Sequence, residues 1–331
     1  MPKIVRFHAL GGPENLRIEE AATQQPGEGE VRLRVQAVGL NRAESMYYHG
    51  FYLEQPELPS RLGYEVSGIV EAVGAGVDPK WVGQRVSTVP GFSQNRYGSL
   101  GEEAIVPANS VQHYPGKLSP VEGTAIWMQY LTAYGALILF AGVTKGDFVV
   151  IPAASSSVGL AAIQIVKAEG AVAIAATRTS AKKAELLALG ADHVIATEEE
   201  DLPARVHEIT GGKGARVIFD PVAGPYVEKL AEAVAHLGII IEYGALSMAP
   251  TPFPLVAALH KRLTMRGYTL MEFTQDPEKL GRAVRYVNER LEDGRFVPKI
   301  AKVFPFEKTV EAYQYLESNQ QIGKIVIQVS E

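Results

Sequence analysis

A run of small residues between two apolar stretches is the segment of this sequence best suited to bind a ligand. It reads Val149-Val-Ile-Pro-Ala-Ala-Ser-Ser-Ser-Val-Gly-Leu-Ala-Ala. A strand, a tight turn of small residues and a helix N-terminus bind pyrophosphate together, because backbone N–H groups and the helix dipole face the anion. Alanine and serine in place of glycine weaken the pattern, so a purely structural strand–helix turn is the alternative. The candidate cofactor-binding residues of this turn are Ala154, Ser155, Ser156, Ser157, Val158 and Gly159.

The end of the next predicted strand selects between the two nicotinamide dinucleotides. An NAD site has an acidic residue there, which accepts hydrogen bonds from the ribose 2′-hydroxyl. Here the sequence reads Ala176-Thr-Arg-Thr-Ser-Ala-Lys-Lys, and no carboxylate occurs before Glu185. A guanidinium with nearby hydroxyls suits a 2′-phosphate, whereas basic residues at a helix start oppose the helix dipole. The sequence therefore predicts NADPH, with a solvated basic helix start as the alternative. The residues predicted to bind the 2′-phosphate end are Thr177, Arg178, Thr179 and Lys182.

The elements around this turn alternate strictly between strands and helices, which predicts an α/β fold with a doubly wound parallel sheet. After a first strand near 147–152, helices are predicted over 158–169, 181–189, 202–209 and 226–236. Glycine follows or ends each of them (Gly170, Gly190, Gly211, Gly238). The further strands are predicted over 171–177, 193–196, 215–220, 238–243 and 263–270. Gly244 and Ala245 follow the fifth strand, where carboxyl strand ends meet the ligand crevice, so both are candidate cofactor-binding residues.

The two ends of the chain have a different pattern. Residues 30–38, 67–74 and 84–89 alternate between polar and apolar side chains, as half-buried strands do, and glycine and proline cut the region into short pieces. This predicts a compact, barrel-like β domain. After residue 274, helices over 278–292 and 308–318 and a strand over 324–329 are too few for a third domain. We therefore predict one domain from 1–122 with 273–331, and a cofactor domain from 123–272.

Composition excludes several kinds of site. The chain has 331 residues, no cysteine, and 37 acidic against 32 basic residues, for a net charge of −5. Without cysteine there is no disulfide, thiolate metal site or cysteine nucleophile, and the mild acidity without a basic block argues against nucleic acid. Two charge-free stretches, 123–144 and 148–166, contain polar residues, glycine or proline, so buried elements explain them better than membrane spans. With no signal peptide at the N-terminus, we expect a cytoplasmic protein without a membrane partner.

Further segments occur in an order that resembles a known family. They read Gly39-Leu-Asn-Arg-Ala-Glu, Gly63-Tyr-Glu-Val-Ser-Gly-Ile-Val-Glu-Ala-Val-Gly, Val82-Gly-Gln-Arg-Val, Leu189-Gly-Ala-Asp-His-Val-Ile and Gln321-Ile-Gly-Lys-Ile-Val. With the small-residue turn, nearly the whole chain resembles the medium-chain dehydrogenase/reductase superfamily, in its zinc-independent quinone oxidoreductase-like branch. The resemblance implies a GroES-like β-rich catalytic domain, a Rossmann cofactor domain and a homodimer or homotetramer, of which we expect the homodimer.

The resemblance also bears on the metal. Zinc-dependent members have a cysteine where this chain has Asn41 and a histidine where it has Tyr64. Asparagine is a poor zinc ligand and tyrosine a rare one, so we expect no metal site. Without a Lewis acid, hydride delivery to an already electrophilic carbon remains feasible, provided that hydrogen-bond donors stabilise the resulting oxyanion.

Three residues are predicted to be catalytic because they match family positions. The resemblance places Asn41 opposite the nicotinamide, where its amide would donate to a substrate carbonyl; a turn residue is the alternative. It places Tyr52 in the substrate cleft as a donor to the carbonyl or the enolate, with a core aromatic as the alternative. Tyr64 would fill the vacated metal space, either as a cleft wall or as packing. Glu44 and Glu65 match acidic positions that usually make structural contacts.

Other matches concern the cofactor and the pocket. Thr132 and Lys324 match positions near the nicotinamide and the cofactor, with a buried helix hydroxyl and a surface charge as the respective alternatives. The segment Gly267-Tyr-Thr-Leu-Met would either cover the nicotinamide or form a strand at a subunit edge. Several aromatic residues would line a pocket for flat substrates, although packing is the stronger explanation for most of them. They are Tyr47, Tyr48, Phe51, Phe92 and Trp127.

Together these features predict an NADPH-dependent, zinc-independent reductase that transfers hydride to quinones or α,β-unsaturated carbonyl compounds. Reduction of an enoyl thioester is one alternative. A catalytically silent NADPH-binding protein is another, and turnover of small quinones would distinguish it from an enzyme.

Overall fold

The computed structural model describes residues 1–330. The strands are β1 (Lys3–Phe7), β2 (Leu16–Glu20), β3 (Glu30–Gly39), β4 (Ser60–Arg61), β5 (Glu65–Val73), β6 (Arg85–Thr88), β7 (Glu103–Pro107), β8 (Val111–Gln112), β9 (Phe148–Ile151), β10 (Val172–Thr177), β11 (His193–Ala196), β12 (Ala215–Asp220), β13 (Val234–Glu242), β14 (Thr264–Gly267), β15 (Ile300–Pro305) and β16 (Lys324–Gln328). The α-helices are α1 (Arg42–Tyr48), α2 (Gln94–Tyr97), α3 (Pro120–Gly123), α4 (Trp127–Tyr134), α5 (Ser157–Ala168), α6 (Lys183–Ala188), α7 (Leu202–Ile209), α8 (Val227–Ala233), α9 (Leu255–Lys261), α10 (Met271–Thr274), α11 (Pro277–Glu292) and α12 (Thr309–Glu317).

The chain divides into two compact units. Unit 1 comprises Met1–Met128, Thr274–Pro277 and the residues from Pro298 onward, and unit 2 comprises Gln129–Phe273 and Glu278–Val297. The predicted domains differ from these units at α11, which lies with unit 2 and not with the N-terminal part of the chain. The cause is packing within unit 2: the α11 residue Tyr286 contacts the ring of Tyr134 at 4.8 Å between centroids and donates to Glu169 Oε1 at 2.7 Å.

Unit 1 is built from two sheets. A three-stranded sheet has the order β2-β1-β4, and a seven-stranded sheet has the order β15-β16-β3-β5-β6-β8, with β7 also paired to β3. The predicted alternation is confirmed in β3, where Val31, Leu33 and Val35 are buried while Arg34 is exposed. The C-terminal strands β15 and β16 join this sheet, since β16 pairs with β3. Residues far apart in sequence therefore become neighbours along β3 and β16.

Unit 2 contains a six-stranded parallel sheet in the order β11-β10-β9-β12-β13-β14. This order is that of a doubly wound dinucleotide-binding fold, so the predicted fold class is confirmed. The apolar run Val149–Ile151 is fully buried, as strands covered by helices on both faces are. The connections run in opposite directions on either side of β9 and β12, which leaves a ligand crevice at their carboxyl ends.

The fourth predicted helix is too long. The helix was expected over 226–236, but α8 ends at Ala233, and Val234 starts β13 opposite Ala215 of β12. Val234 is buried in the core beneath the sheet, so pairing and burial of a β-branched residue outweigh continuation of the helix. Gly238 consequently lies inside β13 and caps no helix. The glycines Gly170, Gly190 and Gly211 do end their segments with positive φ, as predicted.

Two further differences lie at the C-terminal side of unit 2. Strand β14 covers Thr264–Gly267, which is shorter than the predicted 263–270, and helix α9 was not predicted. Its large apolar side chains Leu255, Val256 and Leu259 are exposed, so the helix lacks the usual pattern of one buried face. No helix among residues 1–330 is long and apolar enough to cross a membrane.

Candidate active site

The turn between β9 and α5 in unit 2 has the geometry of a phosphate-binding turn. Ser156 caps α5, and its hydroxyl accepts a hydrogen bond from Gly159 N at 3.0 Å. A Cβ at Gly159 would lie 2.6 Å from Ala154 O, so only glycine permits this close approach of helix and turn. The preceding residue of the turn, Ala153, has a positive φ of 47°, which is uncommon for a residue other than glycine. These features satisfy the spatial requirements of a dinucleotide turn although alanine and serine replace two of its glycines.

Two cations lie beside this turn. Lys182 Nζ donates to Ser155 Oγ at 3.1 Å, which connects the end of β10 to the turn. Burial lowers the pKa of Lys182, the positive charge of Arg178 lowers it further, and Glu185 opposes both effects. The two positive charges thus repel each other, and a bound anionic group would relieve this repulsion.

Of the other predicted cofactor residues of unit 2, four lie at the ends of strands and one lies in a helix. Thr177 ends β10, Thr179 precedes the short 3-10 turn Ser180–Lys182, and Gly244 and Ala245 follow β13. All four therefore lie at carboxyl ends of parallel strands. Thr132 is buried in α4. Its role at a cofactor stays a prediction.

A pair of carboxyl groups at the ends of β12 and β13 was not predicted. Asp220 and Glu242 are opposite each other in register, and Asp220 accepts hydrogen bonds from Val222 N and Ala223 N, each at 2.9 Å. Burial raises the pKa of both groups, and the negative charge of Asp220 raises the pKa of Glu242 further. Both carboxyl groups are therefore more readily protonated than ordinary ones. The only signal in the sequence is an acidic residue at the end of each apolar strand.

The predicted catalytic residue Asn41 belongs to a buried polar cluster in unit 1. Lys324 Nζ donates to Asn41 Oδ1 and to Glu65 Oε2, each at 2.6 Å. Asn41 Nδ2 donates to Gly39 O at 3.1 Å and to Glu44 Oε1 at 3.2 Å. Asn41 precedes α1, and Glu44 Oε2 accepts from its backbone N at 2.5 Å. Below, Asn41, Glu44, Glu65 and Lys324 are called the buried cluster.

The buried cluster contains one ion pair, between Lys324 and Glu65, and a second carboxyl group, that of Glu44. Lys324 and Glu65 have fully buried side chains, so the surface-charge alternative for Lys324 is wrong. Its role at the cofactor stays a prediction. Burial raises the pKa of Glu44 to about 7, and the positive charge of Lys324 only partly offsets this effect. Glu44 is therefore more readily protonated than an ordinary glutamate, and Glu65 is the carboxylate that pairs with Lys324.

The two predicted catalytic tyrosines lie together in unit 1. The rings of Tyr52 and Tyr64 meet edge to face with centroids 6.3 Å apart, and Phe92 lies 5.6 Å from Tyr64. Burial raises the pKa of both tyrosines. Tyr64 is fully buried, as packing requires, whereas Tyr52 is only half-buried.

Most of the other aromatic candidates have structural roles. Trp127 Nε1 donates to Ser87 Oγ at 2.8 Å, Tyr48 OH donates to Glu317 at 2.6 Å, and Tyr47 OH donates to Asn95 at 2.5 Å. All three side chains are buried, whereas Phe51 is exposed. Packing, not a pocket, therefore explains Trp127, Tyr47 and Tyr48. Within residues 1–330, no group of three or more histidine, aspartate or glutamate side chains is arranged to hold a metal.

The sheet order and the turn at α5 are those of the class of dinucleotide-binding proteins. Residues 27–116 match the family described as alcohol dehydrogenase GroES-like domain, and residues 157–287 match the family described as zinc-binding dehydrogenase. The chain is 30% identical to human quinone oxidoreductase over 328 residues, covering 98% of this chain and 97% of the relative. It is also 30% identical to a Burkholderia 2-haloacrylate reductase over 330 residues, covering 97% of each.

The solved structures agree with this grouping. Escherichia coli quinone oxidoreductase complexed with NADPH matches with a TM-score of 0.91 at 29% identity, covering 99% of this chain and 100% of that chain. This chain therefore belongs to the medium-chain dehydrogenase/reductase superfamily, in its quinone oxidoreductase-like branch. It is an oxidoreductase with a GroES-like domain and a Rossmann-type sheet, as the sequence predicted.

Proposed function

We propose that this protein is an NADPH-dependent reductase that transfers hydride to quinones or α,β-unsaturated carbonyl compounds without zinc. The observation that carries the proposal is the cation pair Arg178 and Lys182 beside the turn at α5. A 2′-phosphate at this point would neutralise the repulsion between the two side chains, whereas a 2′-hydroxyl would not. The NADPH complex of the E. coli structure supports the same cofactor.

The cofactor preference tests this proposal directly. We expect NADPH to bind much more tightly than NADH, and Arg178→Ala to reduce the ratio of the two affinities by about tenfold or more, because a charge-assisted contact is lost. Fluorescence titration of both cofactors measures the ratio. Arg282→Ala, which removes an exposed arginine on α11 of the same unit, should leave it unchanged. Equal affinities of the unaltered protein for both cofactors would reject the assignment.

The substrate class follows from the relatives and from the available donors. The relatives are named for reduction of quinones and of a haloacrylate, and both substrate types carry a carbon made electrophilic by conjugation with a carbonyl. The bound nicotinamide would supply the hydride. In this proposal the hydroxyl of Tyr52 would donate a proton to the enolate, and the amide of Asn41 would donate to the oxyanion. Turnover with a naphthoquinone, an enone and an enoyl thioester in parallel would identify the preferred class.

Independence from zinc is the second testable part of the proposal. The two positions that carry zinc ligands in zinc-dependent members hold Asn41 and Tyr64, whose amide and phenol are poor ligands at neutral pH. Burial also raises the pKa of Tyr64, which disfavours the phenolate that a metal would need. We expect activity to survive prolonged dialysis against EDTA. Loss of activity that added zinc restores would contradict a metal-free reaction.

A further inference from the structure

The buried cluster in unit 1 contains an ion pair whose presence calls for an explanation. The side chains of Lys324 and Glu65 are both fully buried, and Nζ and Oε2 are 2.6 Å apart. A buried ion pair contributes little net stability, because desolvation of both charges offsets their attraction. Hydrophobic side chains of similar volume would fill the space at no greater cost. A contribution to stability alone therefore does not explain why this ion pair is present.

The surroundings fix the lysine and its partners in one arrangement. Glu65 Oε1 accepts from Met128 N at 3.1 Å, so both carboxylate oxygens are occupied. A Cβ on Gly39 would lie 2.7 Å from Lys324 Cε, which shows that the lysine stem passes against a backbone without a side chain. The ammonium thus has one position, between Glu65 and Asn41.

Asn41 is the least buried member of the buried cluster. Asn41 is 7% exposed, whereas Glu44 and Glu65 are 0% exposed and Lys324 is 1% exposed. Its carbonyl oxygen accepts the 2.6 Å bond from Lys324, while its Nδ2 bonds to Gly39 O and Glu44 Oε1 are 3.1 and 3.2 Å long. The short, charge-assisted bond polarises the amide and makes Nδ2–H a better donor, and the longer bonds are the ones that a substrate oxygen can replace.

We propose that Lys324 is a positioning residue that acts through Asn41, holding and polarising its amide for the oxyanion that forms during hydride transfer. The inference rests on the proposed function. In this arrangement a lysine fixed by Glu65 polarises one amide through a charge-assisted hydrogen bond, at the place where zinc-dependent relatives have a metal. No bond to Lys324 breaks in the reaction, and its proton stays on Nζ.

The test neutralises the pair without leaving a lone buried charge. In Lys324→Met with Glu65→Gln, both side chains keep their approximate shape, so the variant avoids the penalty of an unpaired ion. We expect kcat for naphthoquinone reduction to fall about tenfold with little change in the KM for NADPH, because the charge-assisted bond that polarises the Asn41 amide is lost. The matched control is Lys308→Met with Glu311→Gln, an exposed ion pair of the same unit, which should retain the unaltered kcat.

Combination with Asn41→Ala distinguishes positioning from a general structural effect. If Lys324 acts through Asn41, neutralising the pair in the Asn41→Ala background should lower kcat no further. The unfolding temperature of each variant shows whether it folds. If the variant Lys324→Met with Glu65→Gln does not fold, the variant Lys324→Gln with Glu65→Gln takes its place. An unchanged kcat in the neutralised pair, or effects that multiply with Asn41→Ala, would overturn the inference. Absence of turnover by the unaltered protein would instead overturn the proposed function.

Discussion

At the scale of single residues, the hydrogen bond from Lys324 to Asn41 joins two distant parts of the chain in the buried cluster. The segments around Asn41, Glu44 and Glu65 pointed to a site, but Lys324 was interpreted either as a cofactor ligand or as a surface charge. Its bond to Asn41 spans 283 positions and depends on β16 pairing with β3. Neither spacing nor composition specifies such a contact, because the register of two distant strands decides it. The turn residues from Ala154 to Gly159, by contrast, act locally and were predictable from their order.

The raised pKa of Glu44 makes the stability of the native protein depend on pH. Burial raises its pKa to about 7 in the native state, above the ordinary value of a glutamate. In the unfolded chain Glu44 ionises at lower pH, so native stability is lost as pH rises towards the native pKa, by up to about 3 kcal/mol. We expect Glu44→Gln to be more stable relative to the unaltered protein at about pH 8 than at about pH 5.

Urea unfolding at both pH values measures this effect. The exposed Glu28→Gln in the same unit serves as the control and should show no such dependence on pH. A Glu44→Gln difference that is the same at both pH values would show that Glu44 is ionised in the native protein.

At the scale of elements, the alternation of strands and helices was the most reliable guide. The predicted bounds of β11, β12 and α7 agree with the structure, because each is a short apolar or amphipathic segment between clear breaks. The boundary between α8 and β13 was wrong, since the apolar residues around Val234 suit either conformation until the sheet selects one. Helix α9 was missed because its apolar side chains are not buried within the unit.

The contact between α5 and its turn predicts the effect of one added methyl group. In Gly159→Ala the new Cβ would lie 2.6 to 2.8 Å from three backbone atoms of Ala154, so the turn must move. We expect a loss of about 1–3 kcal/mol in stability and weaker NADPH binding, because the N–H groups at the helix start are displaced. Thermal unfolding and fluorescence titration measure the two effects.

Helix α11 offers a matched control in the same unit. The nearest atom to a Cβ on Gly281 is the flexible end of Arg285 at 3.6 Å, so Gly281→Ala should be tolerated or slightly stabilising. Equal tolerance at Gly159 would mean that the turn does not need the close approach described above.

At the scale of the whole molecule, unit 2 has an exposed apolar surface on which the homodimer expected from the sequence can be tested. Phe253, Leu255, Val256 and Leu259 are 60%, 56%, 81% and 72% exposed, and they lie on or just before α9. Strand β14 is the last strand of its sheet, so its outer edge is unpaired within the described residues 1–330. A second copy would present the same surface and the same edge, so we expect a homodimer to form through them.

A charge on this surface tests the expected dimer. Val256→Lys should shift the protein from dimer to monomer, because burying an ammonium in an apolar contact is unfavourable. Analytical ultracentrifugation measures the change. Leu187→Lys on α6, near the opposite edge of the sheet, should leave the mass unchanged. A monomeric unaltered protein at micromolar concentration would reject the dimer.

Within the described residues the outer edge of β14 is unpaired, and such an edge can cause aggregation in concentrated solution. A free strand edge offers unpaired N–H and C=O groups to any extended chain, and natural proteins usually protect such edges with charges, proline or a covering element. Residues Thr264 to Gly267 include one charged side chain, Arg266, which is turned over the ring of Phe140 with 4.0 Å between the guanidinium carbon and the ring centroid. Association with a second copy would therefore also guard this edge against amyloid-like strand addition.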